Sequence, residues 1–74
     1  MITTLTRIDP EQNMARFYYM AILPDLFGGV QLVRQWGRIG EDGGQERREH
    51  FDDAGLAQSK HDELRDQKVR RGYH

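Results

Sequence analysis

The residues best suited to chemistry in this chain are its arginines and the single tryptophan. Nine of the eleven basic residues are Arg, and guanidinium outranks ammonium for planar, two-pronged contact with phosphate. Arg34, Trp36 and Arg38 are spaced two residues apart, so in an extended strand they project to one side. Arg47 and Arg48 follow beyond a glycine-rich turn, close enough that at least one should approach that row. Lys68, Arg70 and Arg71 form a third basic cluster. An aromatic ring flanked by guanidinium groups can pack on a base or sugar while the cations hold phosphate. The same residues fit a bland alternative, in which Trp36 is core and the arginines beside Glu41, Glu46 and Glu49 are a solvated strand.

Other chemistries fare worse. There is no cysteine and one serine, Ser59, in a helical stretch, so an activated nucleophile beside a base is not in view. Thr3, Thr4 and Thr6 read as β-formers. The carboxylates alternate with Arg along polar faces, as solvated surfaces do. His50 and His61 could meet across a sheet–helix interface with Asp62 or Glu63, but that spacing matches no ligand motif; His61 reads as a half-buried packing residue. Gly37, Gly40 and Gly43 lead into a polar strand rather than a helix, unlike a dinucleotide-binding loop. No catalytic residue, cofactor, metal or small-molecule substrate is expected, and the chain is read as a non-enzyme.

These side chains need a scaffold. Leu5 to Asp9 is β-compatible, and Asp9-Pro10-Glu11-Gln12-Asn13 is a turn. Ala15 to Leu23 is aromatic and aliphatic without helical spacing, and Pro24 stops it. Gly28-Gly29 opens another strand-like run, Val30 to Ile39. The Asp42-Gly43 pair signals a hairpin leading to a polar strand, Gln45 to Phe51. Asp52-Asp53 then offers an N-cap, and Ala54, Ala57, His61 and Leu64 recur on one helical face. Gly72 ends the helix. The expected fold is α+β: a small antiparallel sheet of about four strands packed against one C-terminal helix. That helix is poor in large apolar residues, which makes Tyr73 a candidate packing group.

With 74 residues the chain is read as one domain, residues 1–74. The composition, 36% hydrophobic and 31% charged, carries too many aromatic residues and leucines for a disordered chain. The longest apolar run, Phe17 to Leu23, is far short of the roughly 20 residues of a membrane helix. Met1-Ile2-Thr3-Thr4-Leu5 lacks the basic and apolar regions of a signal peptide. A monomer in the cytoplasm, away from membranes, is the expectation. The net charge of −1 is low for a nucleic-acid binder, although the acids Asp52, Asp53, Asp62, Glu63 and Asp66 gather in the helical segment and leave the strands more basic.

The stretch Trp36-Gly37-Arg38-Ile39-Gly40 resembles the signature of the WGR domain family. Phe17 to Leu23 is similar to the family's aromatic-then-aliphatic strand, and Val30 to Arg34 to the strand leading into the motif. Phe51 precedes a helix closing in Lys68-Val69-Arg70-Arg71-Gly72-Tyr73, similar to the family's Lys-then-Gly-then-aromatic ending. The resemblance covers Leu5 to Tyr73 and implies a small antiparallel sheet on one helix. In the DNA-damage-dependent poly(ADP-ribose) polymerases such a domain contacts DNA ends or nicks beside the catalytic region. The family's Trp packs on sugar near a 5′ end, which maps to Trp36. Its Arg bridges to DNA or neighbouring domains, which maps to Arg38. Its Gly, mapping to Gly37, permits close approach. The chain is too short for a polymerase, and looks like a stand-alone bacterial member or a bacterial regulator's WGR segment.

The functional expectation is a module recognising DNA ends, nicks or junctions without sequence readout. Trp36, Gly37, Arg38 and Arg34 would form its centre, and Arg47, Arg48, Lys68, Arg70 and Arg71 its rim. The alternative is a protein–protein interaction module using the same Trp/Arg surface, since both residue types anchor interfaces.

Overall fold

Four strands follow one another as an antiparallel meander in the computed structural model, which describes residues 1–74. They are β1 (Ile2–Asp9), β2 (Met14–Pro24), β3 (Val30–Arg38) and β4 (Gln45–Phe51), and the helix α1 (Ala54–Arg70) closes the chain. This is the α+β arrangement the sequence predicts. β1 starts three residues before the expected Leu5, because Ile2, Thr3 and Thr4 pair in register with Ala21, Met20 and Tyr19. One 3-10 turn, Pro10–Gln12, joins β1 to β2, with the Asp9 carboxylate capping Glu11 N–H and Asn13 in the left-handed region at φ 52°.

Strand alternation sorts the sheet into two faces. Leu5, Tyr18, Met20 and Leu32 point toward α1 and join Leu64 and Tyr73 in the core, with Ile22, Trp36 and Phe51 packed against them. The helix contributes Ala57, His61 and Leu64 to this layer. His61 is only 1% exposed, a correction to the half-buried position expected, and its ring is held at both ends. Nδ1 lies 2.9 Å from Asp62 Oδ1, and Nε2 lies 2.8 Å from Thr3 Oγ1. With Nδ1–H donating to the carboxylate, Nε2 accepts from the Thr3 hydroxyl, and a buried ring is fully satisfied.

The helix ends are fixed by short-range chemistry. Asp53 accepts from Gly55 N–H at 2.7 Å at the start. At the other end Tyr73 N–H bonds the Lys68 carbonyl and Gly72 N–H bonds that of Val69, the Schellman pattern, with Gly72 at φ 96°. The reversal folds Tyr73 back into the core and brings His74 beside β1, where it exchanges both backbone hydrogen bonds with Thr6. No helix is long and apolar enough to cross a membrane.

Candidate functional site

Strand parity places Arg34, Trp36 and Arg38 on the helix-side face, at the end of the sheet where the helix has run out. Trp36 is half-buried and stacks on Tyr18, its cross-strand partner, with ring centroids 5.8 Å apart and planes inclined by 20°. It is therefore both a support for the core and a wall of the site. Lys68 reaches over from the last turn of α1, its Nζ 4.6 Å from the Tyr18 ring centroid and 5.5 Å from that of Tyr73. Between these groups lies a half-open pocket of about 350 Å³, lined by Arg16, Phe17, Trp36, Gly37, Arg38, Lys68 and Tyr73. Its walls are aromatic and cationic, and no carboxylate lines it.

Register extends the basic surface well beyond the pocket. Arg7, Arg16 and Arg38 are directly paired across β1, β2 and β3, and Arg34 is directly opposite Arg47 across β3 and β4. All five alternate onto the helix-side face. Like charges placed opposite one another destabilise a sheet by about 0.2–1 kcal/mol a pair, so such rows are unfavourable without a counter-charge. The chain's arginine ion pairs are made by Arg38, Arg48 and Arg65, which leaves Arg7, Arg16, Arg34, Arg47, Arg70 and Arg71, and Lys68 with them, without one. Arg34 Nη1 reaches the Tyr18 hydroxyl at 3.5 Å, while its buried Nε has no partner. The Lys68 ammonium is pushed below its ordinary value, first by burial and then by Arg71, Arg34 and Arg16. Several cations thus share one face with little to neutralise them, and an anion is what that face can hold.

Arg38 behaves differently from its neighbours. Its guanidinium donates to the Asn13 carbonyl at 3.1 Å and to Asn13 Oδ1 at 3.4 Å, and pairs with Glu41 at 3.3 Å. It clamps the β1–β2 turn to the β3–β4 hairpin at the pocket's mouth. Gly37 has an internal reason to be glycine: a Cβ there would come within 3.0 Å of the Gly44 backbone across the hairpin.

Of the nine residues singled out from sequence, the fold gathers Arg34, Trp36, Gly37, Arg38, Arg47 and Lys68 at this end. Arg71, the helix C-cap residue, is the charge that acts most strongly on Lys68. Arg48 does not join them. Being one residue out of phase with Arg47, it lies on the opposite face, bound to Glu46 and Gln31. Arg70 is exposed along the helix, with Nε donating to the Asp66 carbonyl. The sequence does not single out Arg7, Arg16 or Tyr18, and it offers Tyr73 only as a packing group, which the burial of Tyr73 in the core bears out. The two-residue alternation of Arg16, Tyr18 and Met20 was the available signal, but it needed the β2–β3 register to align with Trp36.

The remaining histidine chemistry lies at the other end. His50 projects onto the open face, with Nδ1 2.7 Å from Asp25 and Nε2 3.0 Å from Asp52, so His50 and His61 do not meet. Because both His50 nitrogens face carboxylates, only the imidazolium satisfies both. Its pKa is raised, first by Asp52 and then by Asp25.

A small sheet-on-helix domain presenting an aromatic, cation-rimmed pocket is the architecture of a binding module. The WGR domain family matches the chain across residues 1–74, and the chain belongs to that family, whose domain is known from nucleic-acid-binding contexts. The chain is also 48% identical over 67 residues to a protein of Sinorhizobium fredii (strain NBRC 101917 / NGR234) named "Uncharacterized protein y4dW". That match covers 90% of this chain and 32% of the relative, so the chain spans about a third of the relative's length. No solved structure matches.

Proposed function

We propose that this domain binds the sugar-phosphate backbone of DNA at ends, nicks or junctions, without catalysis and without reading sequence. The observation that carries the reading is the acid-free pocket between Trp36 and Tyr73, ringed by Arg16, Arg38 and Lys68. In this arrangement Trp36 packs on a sugar or terminal base, Lys68 and Arg16 hold the adjacent phosphate, and the rows Arg7–Arg16 and Arg34–Arg47 carry the strand onward. Arg38 sets the mouth of the pocket and offers its outer edge. Backbone contact of this kind positions a ligand and carries no base information, and the domain's one helix packs on the sheet rather than presenting a face for a groove. A second pocket, lined by Glu41, Asp42 and Glu46 on the far side of the β3–β4 hairpin, repels phosphate and limits the ligand to the basic side.

The partial neutralisation of Arg38 by Glu41 favours one other occupant of the same surface, a protein partner anchored on Trp36. Salt separates the two, because phosphate contacts weaken steeply as salt rises. The test is a fluorescence titration of the sole tryptophan with 5′-phosphorylated nicked duplex, intact duplex and single strand at low salt. Saturable quenching that prefers the nick and fades with salt supports DNA-end binding. A folded protein whose emission responds to none of the three overturns it.

A further inference from the structure

The face of the sheet away from α1 is unlike the rest of the molecule. By strand parity it carries Ile2, Thr4, Thr6 and Ile8 from β1, Ala15, Phe17, Tyr19, Ala21 and Leu23 from β2, and Gln31, Val33, Gln35 and Gly37 from β3, with Ala21 and Val33 buried beneath their neighbours and the others at least partly accessible. None of these is Asp, Glu, Lys, Arg or His, in a chain that is 31% charged. The usual distribution is inverted, since the arginines of these three strands all lie on the helix side. Ile2 and Ile8 are 68% and 65% exposed, although an antiparallel sheet with one free face ordinarily turns polar side chains to water. The charged strand residues on this face are confined to β4, and they are already compensated: Arg48 by Glu46, and His50 by Asp25 and Asp52.

We propose that this uncharged face is a self-association surface, on which a second copy of the chain packs sheet against sheet. Three considerations select that occupant. A twisted antiparallel sheet is covered either by a helix or by another sheet of matching twist; the chain's one helix is on the other side, and a second copy supplies an identical twist. A face without formal charge meets no like-charge repulsion from its own copy and offers nothing to attract a strongly charged partner. The dipolar strip on β4 suits a two-fold relation, in which Arg48 of each copy can face Glu46 of the other.

The size of the face sets the strength. Strands of about eight residues at ~3.3 Å each, four abreast at ~4.8 Å, give roughly 500 Å² per copy. The total of about 1,000 Å² is at the lower limit for a specific interface, so the dimer should be weak and concentration-dependent. The association face meets the Trp36 pocket only at Phe17 and Gly37; the cationic wall of Arg16, Arg38 and Lys68 faces outward on both copies, giving a pair of back-to-back sites.

The test is sedimentation equilibrium of the full chain from about 5 to 500 μM. The expected result is a mass rising from the 8.7 kDa of one chain toward twice that value, no weaker in high salt. Thr4→Lys puts a charge on this face at an exposed position midway along the outer strand β1, and should weaken association at least tenfold. Ile8→Lys repeats the test at the rim if the first variant melts early. Arg16→Gln, on the opposite face, should leave association unchanged and separates this surface from the nucleic-acid site. A chain that stays monomeric throughout, or a dimer that survives both lysine substitutions, overturns the proposal.

Discussion

Replacing Arg16 with Gln should move stability and affinity in opposite directions. Arg16 is solvent-exposed, makes no ion pair, and has Arg7 and Arg38 directly opposite it on its two neighbouring strands. Removing its charge relieves two like-charge pairs. Each is worth about 0.2–1 kcal/mol, and exposure keeps the sum toward the low end, about 0.5 kcal/mol. In a domain of this size 1 kcal/mol moves Tm by roughly 4–8 °C, so the variant should melt ~2–4 °C higher at low salt. Nucleic-acid affinity should fall instead. One lost charge-assisted phosphate contact costs about 1.5 kcal/mol, roughly tenfold in Kd. It also removes about 0.9 from the log–log salt slope, so between 50 and 200 mM salt the tenfold gap should narrow to about threefold. Thermal melts followed by circular dichroism and anisotropy titrations at several salt concentrations read both quantities. A lower Tm would make Arg16 a structural residue. An unchanged salt slope would remove it from the phosphate track.

Thr3→Val keeps the shape of the side chain and leaves the buried His61 Nε2 without its donor; an unsatisfied buried group costs about 1–3 kcal/mol, so thermal melts should fall by roughly 4–24 °C with nucleic-acid affinity unchanged. The raised pKa of His50 means that its contribution is fully present below the ordinary value of 6.5 and is lost as pH rises through the folded-state value. Tm should accordingly decline across neutral pH, and His50→Gln should flatten that decline; an unaltered pH profile would show that the Asp25–His50–Asp52 contacts do not matter. Trp36→Ala should cost both folding and binding. Being half-buried, Trp36 forfeits about half of the ~3–5 kcal/mol of a fully buried aromatic, so the variant should remain folded but melt earlier, while binding should lose about 1–3 kcal/mol of stacking. Full retention of affinity in the folded variant would exclude Trp36 from the contact.

Local chemistry made much of this fold legible in advance. Pro24, Gly28-Gly29, Asp42-Gly43 and Asp53 mark where elements begin and end by backbone preference alone, and the two-residue period of Arg34, Trp36 and Arg38 correctly places them on one face. The pairing of strands was not legible, because register depends on how each turn closes. Hence the Arg7–Arg16–Arg38 row, built from three separate segments, has no signature along the chain. The same gap hid the choice between Arg47 and Arg48, which one residue of phase sends to opposite faces. Thr3 looked like a simple β-former until a helix formed from distant residues brought His61 against its hydroxyl. Lys68 and Tyr73 share the pocket only because Gly72 reverses the chain, a short-range event with a long-range result.

The backbone pairing of His74 with Thr6, and the burial of Tyr73 behind it, bear on how the domain is made. The three hairpins of the meander form from sequence neighbours and can assemble early. Completion of the core must wait, because β1 meets residues from the far end of the sequence, and contacts of such long range are slow to close. During synthesis β1 is therefore the first strand of the domain to emerge and among the last to be fully covered. Until Tyr73 has left the ribosome the nascent chain is a sheet lacking one wall of its core, and the Trp36 pocket, which shares that wall, cannot yet exist. The order of events makes ligand binding a report on a completed domain.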